Sequence, residues 1–391
     1  MKKKILYFVS HPIQYFSPLL EKLAAETDLH VYYFSDASIT GQKDIGFGQD
    51  IKWDTPLLSG YRHSFLKNYS KRKFLDNHFF DVFNPGVIKA IWKSDAPYII
   101  VNGWSYSSTV IAIFFGRLFG KKVWLRAENP LNQELLKSKT KIFIKKIVLK
   151  HILFKFFISR CLYIGTQSKD FFKFYGVPEY KLLYTPYSVD NDFFHSSYEA
   201  LKNKLPGVCS ELGLPTDKKI ILFSGKYIPK KRPMDLLKAF ELLGNQHYAL
   251  VMVGDGELRK ELEEFIARNN IRQVYLTGFI NQSAIAKYYA VAAVFVMCSG
   301  FGETWGLSVN EAMNFEKPVI VSKTCGCCSD LVKEGENGYA FDEGDVGALV
   351  ISLKKILEND TFRISAGKKS TEIIKGFSIS VIVGNILGGL N

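Results

Sequence analysis

The stretch GFGETWGLSVNEAMNFEKPVIVS, residues 300–322, follows directly on the apolar run AVFVMC of residues 293–298. Gly300 and Gly302 let the backbone turn tightly there, LSVNEAMNF spaces its apolar residues at helical intervals, and PVIVS reads as another short strand. Strand, glycine turn, helix and strand in that order make one unit of a parallel α/β sheet. Glu303 stands in the turn and Glu311 in the helix, with seven residues between them. A helix starting near Gly306 offers backbone N–H groups without intrahelical partners at the positive end of its dipole, a place suited to phosphate. Eight helical steps cover about 12 Å, comparable to the span from ribose to hexose in a nucleoside diphosphate sugar, and carboxylates accept hydrogen bonds from vicinal hydroxyls. Ser308 to Glu311 also fits the capping-box pattern S-x-x-E, so the two carboxylates taken alone suit a helix cap and a solvated loop equally well.

The alternation of strand and helix extends in both directions. KILYFVS (4–10), HVYYFS (30–35), YIIVNG (98–103), KVWLRA (122–127) and LYIGTQ (162–167) alternate with helical patterns such as SPLLEKLAAET (17–27). The polar, proline-turned segment NKLPGVCSELGLPTDKK (203–219) interrupts the pattern, which restarts at KIILFSG (219–225) and continues through YALVMVGDG (248–256) and VYLTGFI (274–280). The expected fold is α/β: two doubly wound, Rossmann-like domains, 1–200 and 201–375, facing each other across a cleft, with a C-terminal segment, 376–391, packing back on the first. A length of 391 residues suits two domains. In such sheets ligands sit beyond the carboxyl ends of the strands, so the loops there hold the candidates.

In FSGKYIPKKRP (223–233) a strand ends at Gly225 and a cationic turn follows. Lys226 and Lys231 are read as the charges that neutralise a departing diphosphate, whereas Lys230 and Arg232 fit solvated surface cations equally well. VGDGEL (253–258) and LTGFI (276–280) bring Gly254 and Gly278 to strand ends where backbone approaches a ligand closely. The first lacks the G-x-G-x-x-G spacing of a dinucleotide fingerprint, which argues against a dehydrogenase.

In order, SGKYIPKKRP, VMVGDGEL, YLTGFI, YYAVAAVFVMCSGFGETWGLSVNEAMNFEKPVIVS and EGENGYAF (334–341) closely resemble the donor domain of the family 4 retaining glycosyltransferases, which have the GT-B fold, across residues 219–342. The resemblance implies a glycosyltransferase of the hexosyltransferase type. Glu303, Lys226 and Lys231 are its implied catalytic group, with Glu303 at the donor-sugar hydroxyls and the two lysines at the diphosphate. The N–H groups of Gly306 and Leu307 would meet the phosphates and Glu311 the ribose, while Gly225, Gly254, Gly278, Phe279, Thr304 and Trp305 complete the implied donor-binding set. Lys226 stands where the family usually has Arg, exchanging a bidentate fork for a point charge. Gly326, with Cys325, Cys327 and Cys328 beside it, falls on the family's small-residue loop near the donor. No cofactor and no tightly bound metal is expected. The cysteines lack a second Cys/His group that would complete a tetrahedral site, and reduced thiols suit a cytoplasmic protein.

Before residue 180 the resemblance weakens. SHPIQYFSPLL (10–20) replaces the family's Gly-Gly loop, WLRAENP (124–130) its His-bearing strand end, and Tyr187-Ser188 the usual Asn-Gly. This form is similar to a bacterial subgroup associated with surface polysaccharides, lipopolysaccharide or capsule. His11, Gln14, Tyr15, Arg126 and Glu128 are the candidates for acceptor or cleft contacts, although a buried histidine and a structural Arg–Glu pair fit the same residues.

Hydrophobic residues at 47% without low-complexity tracts exclude a disordered chain. The net charge of +13 is concentrated: residues 1–195 hold 28 Lys+Arg against 16 Asp+Glu, and the remainder 23 against 22. Residues 137–160, KSKTKIFIKKIVLKHILFKFFISR, contain eight basic residues and no acidic one. On a helical wheel Phe143, Ile147, Phe154 and Ile158 form an uncharged stripe opposite Lys141, Lys145, Lys146 and Lys150, the pattern of a helix lying on an anionic bilayer or of a core helix with a lysine-rich face. No nucleic-acid recognition module accompanies the charge. The opening MKKKILYFVSHP imitates a signal peptide without a cleavage site, and the apolar runs fall short of the roughly 20 residues a span requires. The expected partners are a nucleotide sugar, a glycan or lipid-linked acceptor and an anionic membrane surface, for an enzyme peripheral on the cytoplasmic face of the cell membrane. A nucleotide-sugar 2-epimerase and a catalytically silent nucleotide-sugar binder are the rival functions.

Overall fold

The structure, a computed structural model, describes residues 2–390 apart from 41–42, 45–48, 51–53, 72–77 and 245. In chain order the strands are β1 (Lys4–Val9), β2 (Asp28–Tyr33), β3 (Lys43–Asp44), β4 (Gln49–Asp50), β5 (Arg62–Phe65), β6 (Tyr98–Asn102), β7 (Lys122–Ala127), β8 (Arg160–Tyr163), β9 (Leu182–Tyr184), β10 (Lys219–Ser224), β11 (Tyr248–Val253), β12 (Val274–Leu276), β13 (Ala292–Met297), β14 (Val319–Ser322) and β15 (Gly338–Phe341). They divide between two compact units, residues 1–42, 55–187 and 379–391 in one, and 43–54 and 188–378 in the other.

The first unit holds a sheet of order β5-β2-β1-β6-β7-β8-β9, all pairs parallel. Successive residues of β1 serve opposite faces, as the two-residue strand period requires. Leu6 and Phe8 join a core with Val87, Ile113 and Phe171, while Ile5, Tyr7 and Val9 join another with Leu20, Trp124 and Ile382. The second unit holds a sheet of order β12-β11-β10-β13-β14-β15, again parallel throughout. In each sheet the order reverses beside the first strand, at β1/β6 and at β10/β13, which opens a crevice at the carboxyl edge where consecutive loops diverge.

The division of units differs from the expected 200/201 boundary. The helix Asn191–Leu201 belongs to the second unit, because Phe194 and Tyr198 pack edge-on against Phe315 at 6.0 and 5.7 Å between ring centroids. At the other end of the chain, the helix Ile379–Gly389 lays Ile382, Val383 and Ile386 into the first unit's core. Burial of each such side chain contributes about 1.5–3 kcal/mol. The helical stretch Asp360–Gly389 is long and apolar enough to cross a membrane by length and composition, unlike the runs considered from sequence, but this packing uses the apolar face of its second half.

The basic segment departs from a simple wheel. It is α-helical over Lys139–Lys146 and then winds as a π-helix over Ile147–Phe157, the wider i→i+5 spacing. Leu149, Phe154 and Ile158 turn inward, whereas Phe143 and Ile147, expected on the same stripe, are exposed with Ile144, Val148, Ile152 and Phe156. Lys181 closes the end of the π-helix by donating to the carbonyls of Phe154 and Ile158 at 2.6 and 2.9 Å. Glu134, 2% exposed, anchors the segment by accepting from Lys137, Lys145 and the Tyr175 hydroxyl at 2.8, 2.7 and 2.6 Å.

Candidate functional site

The carboxyl edge of the second sheet is tied together by main chain. Gly225 N–H donates to Val253 O at 3.0 Å, Gly254 N–H to Gly278 O at 2.9 Å, and Gly300 N–H to Lys230 O at 2.8 Å. Gly254 has no alternative: at φ +139° a Cβ would stand 1.9 Å from the Gly225 carbonyl oxygen. Four loops expected to touch the donor, those after β10, β11, β12 and β13, are thereby brought into one backbone frame.

Within that frame Lys231, at the end of the 3₁₀ turn Pro229–Lys231, forms an ion pair with Glu303. The lysine stem passes Gly225, its Cδ at van der Waals distance, 3.7 Å, from the position a Cβ would take there. Glu303 is 8% exposed. Burial alone would push its carboxyl upward, but the charges of Lys231 and Lys230 and the hydrogen bonds from Lys231 and Ser299 hold it below its ordinary 4.5. It is therefore a carboxylate at neutral pH, able to accept from hydroxyls. Lys226 lies half-buried in the same turn. Arg232 takes another part: at φ +49° it caps the helix Pro233–Leu243 and is bound by Asp235 at 2.5 Å and Glu343 at 3.4 Å, a structural ion pair.

The helix after Glu303 runs over Leu307–Met313 with Gly306 at φ +114° as its N-cap and no side-chain cap bond. The capping box read into Ser308 and Glu311 is not formed, because the helix starts two residues too early for Ser308 to cap it. Glu311, 4% exposed, instead accepts a 2.6 Å hydrogen bond from the Tyr289 hydroxyl. Tyr289 comes from the helix Gln282–Val291 and carried no signal in the sequence. Trp305 is 2% exposed, donates its indole N–H to Asn310 at 2.9 Å and packs against Phe377. Its ring is a packing element that fixes the backbone of the turn beside Glu303. Gly326 lets the loop with Cys325, Cys327 and Cys328 lie against Thr304, whose carbonyl oxygen would be 1.9 Å from an added Cβ. All six cysteines are free and buried.

Phe279 and Thr304 lie half-buried in the loops after β12 and β13. The remaining candidates lie in the first unit, at the carboxyl edge of its own sheet. His11 places Nδ1 3.0 Å from the Ser10 hydroxyl. Gln14 and Tyr15 follow in the same turn after β1. Arg126, at the end of β7, is sandwiched by the rings of Phe16 and Tyr187 at 5.0 and 4.9 Å, and Glu128 is hydrogen-bonded to Tyr187.

Two doubly wound parallel domains, with cation-bearing turns and paired glutamates at the edge of the second, have the architecture of the GT-B fold. Residues 209–373, in the second unit, match the family glycosyl transferases group 1. A Campylobacter jejuni enzyme named as an α-1,4-N-acetyl-D-galactosaminyltransferase acting on an undecaprenol-diphosphate-linked glycan is 27% identical over 298 residues, 75% of this chain and 74% of that one. An uncharacterized Methanocaldococcus jannaschii glycosyltransferase is 27% identical over 40% of this chain, which spans 43% of that relative's length. Among solved structures, the Anabaena protein HepE in complex with UDP superposes with a TM-score of 0.74 at 18% identity over 100% of this chain and 99% of that one, a likeness of fold.

Proposed function

We propose that this protein moves a sugar from a nucleoside diphosphate sugar to a hydroxyl of a glycan or lipid-linked acceptor, with retention at the anomeric carbon, in bacterial surface-polysaccharide synthesis. The observation that carries the reading is the ion pair of half-buried Lys231 with buried Glu303 at the point where the second sheet reverses, with Glu303 ionised. A carboxylate there orients donor-sugar hydroxyls. Lys231 and Lys226 offset the charge that develops as the bond from the anomeric carbon to the phosphate oxygen breaks. The acceptor hydroxyl oxygen bonds to that carbon on the same face and its proton passes to the departing diphosphate, so no protein nucleophile and no tightly bound metal is needed. Glu311, held by Tyr289, takes the ribose, and the backbone at Gly306 and Leu307 takes the phosphates. The UDP in the Anabaena complex and the lipid-linked acceptor in the Campylobacter enzyme's name, each a property of that protein, favour the same substrate classes.

Incubation with a panel of nucleotide sugars and acceptors tests this. Release of nucleoside diphosphate that depends on acceptor, with an α-linked product from an α-linked donor, supports it. An epimerised donor, or binding without turnover, sinks it.

The reading places the enzyme on the cytoplasmic face of the membrane. Exposed Phe143, Ile144, Ile147, Val148, Ile152 and Phe156 adjoin Phe114 and Leu118 of the helix Ser107–Leu118, joined by the Phe114–Phe157 ring contact at 5.8 Å and an Arg117 bond to Phe156 O at 2.9 Å. Apolar surface flanked by the exposed Lys141, Lys146 and Lys150 suits an anionic bilayer. Combining Phe143→Ser, Ile144→Ser and Lys141→Glu is expected to reduce cosedimentation with vesicles containing phosphatidylglycerol at least about tenfold, at roughly 1 kcal/mol per cation plus the lost apolar burial. Equal sedimentation of the wild type with neutral vesicles would count against the docking face.

A further inference from the structure

The first unit's sheet has its own reversal point, between β1 and β6. The residues around it carry unspent hydrogen-bonding capacity. Arg126 is 3% exposed, and its Nε and Nη1 meet no partner among the described residues. Gln14, in the turn after β1, has a buried Oε1 that likewise meets none. Arg126 adjoins this turn through Phe16, two residues beyond Gln14, whose ring centroid lies 5.0 Å from the guanidinium carbon.

A guanidinium cannot shed its proton to escape burial. The faces of Phe16 and Tyr187 return part of the lost hydration, but ring quadrupoles do not substitute for hydrogen-bonded acceptors. Nor do the neighbouring hydroxyls supply an anion. Burial pushes Tyr7 up to about 12 and Tyr187 well above its usual value, so both remain neutral at physiological pH. Tyr7 is spent on Asn102 Oδ1 at 3.0 Å, and the Glu128 carboxylate is engaged by Tyr187. Glu128 thus softens the local charge without reaching Nε or Nη1. What is left is a fixed cation with two unfilled donor nitrogens and a nearby unfilled acceptor, at the strand edge where open α/β sheets take their ligands.

We propose that this edge is an acceptor subsite that reads an anionic oxygen. A phosphate or carboxylate borne by the acceptor accepts from Arg126, and a hydroxyl of the same acceptor donates to Gln14 Oε1. The excess of cations in residues 1–195, 28 against 16 acidic groups, favours the approach of such a ligand. The identity of the ligand as acceptor rests on the glycosyl-transfer reading; the demand for an anion rests on Arg126 alone.

The full-length protein, without nucleotide, is titrated calorimetrically with octyl β-glucoside, octyl β-glucuronide and farnesyl diphosphate below their micellar concentrations. The wild type is expected to bind an anionic probe at least about tenfold more tightly than the neutral glucoside, the scale of one charged hydrogen bond. Preference for the glucuronide assigns the anion to an acidic sugar; preference for the diphosphate assigns it to a lipid carrier. Arg126→Met is expected to abolish the preference with the melting temperature unchanged or raised, because it removes a buried unpaired charge, and Arg126→Lys to restore part of it. Equal binding of all three probes by the wild type overturns the proposal. So does an Arg126→Met protein that keeps the preference, or one that melts several degrees lower, which would mark the guanidinium as a structural partner. Failure of the transfer reading appears elsewhere, as absence of acceptor-dependent nucleotide release, and leaves the binding result standing.

Discussion

Lys231→Ala is expected to lower the transfer rate about 10²–10³-fold, the usual loss when one preorganised charge is removed from developing negative charge. The same change leaves Glu303 buried without its nearest cation, at a stability cost of roughly 3 kcal/mol. The two effects separate with pH. In the wild type the folded-state pKa of Glu303 lies below its ordinary 4.5, so its contribution to stability is present above the unfolded-state value and lost as pH falls through the folded one. In Lys231→Ala, burial becomes the dominant influence and the folded pKa rises. The penalty is then largest near neutrality and shrinks as acid protonates the carboxyl. Melting curves of both proteins between about pH 4 and 8 should therefore converge at the acidic end. Adding Glu303→Gln to Lys231→Ala should recover stability without recovering transfer. A double variant that regained activity would remove both groups from the chemistry.

Gly326→Ala carries the other large effect. Its Cβ would lie 1.9 Å from the Thr304 carbonyl oxygen, 2.6 Å from the carbonyl carbon and 3.2 Å from Trp305 N, all of them backbone atoms that no rotamer change can move aside. A loss of about 3 kcal/mol is expected in urea unfolding, the upper range for overpacking. The segment bearing Glu303 yields to the added methyl, so donor affinity should fall as well. Gly207→Ala is the matched control: it sits in the helix Leu205–Glu211 with nothing within 4 Å of the added methyl, and helix propensity predicts a gain of up to about 1 kcal/mol. Equal stability of the two variants would mean that the loop at Gly326 is free to move away from Thr304.

The elements legible in sequence were those that carry their own signal. Buried central strands such as KVWLRA and AVFVMC announce themselves as apolar runs. The edge strands Arg62–Phe65 and Leu182–Tyr184 do not, because they lack a continuous buried run. Glu303 and Lys231 were found as chemistry-bearing types at strand ends. That they pair is a fact of the folded sheet, since 72 positions of chain separate them. Tyr289 escaped for the same reason: a tyrosine on an amphipathic helix reads as core, and only folding brings its hydroxyl to Glu311. The indole of Trp305 is another such contact, since only folding brings it to Asn310 and Phe377. At 137–160 the period itself changed: a wheel drawn at 3.6 residues per turn put Phe143 and Ile147 on one stripe with Phe154 and Ile158, and the π-helix separates them, leaving the first two exposed and the last two buried.

The four loops at the second sheet's edge are joined by Gly225 to Val253, Gly254 to Gly278 and Gly300 to Lys230, each through main-chain atoms. A frame of that kind is indifferent to most of the side chains it presents. A side chain on the rim can therefore be exchanged without disturbing the scaffold that presents it. Lys226, standing where the family it resembles usually has Arg, has the form of such an exchange. Gly254 has no such latitude, because any larger residue there would break the frame itself.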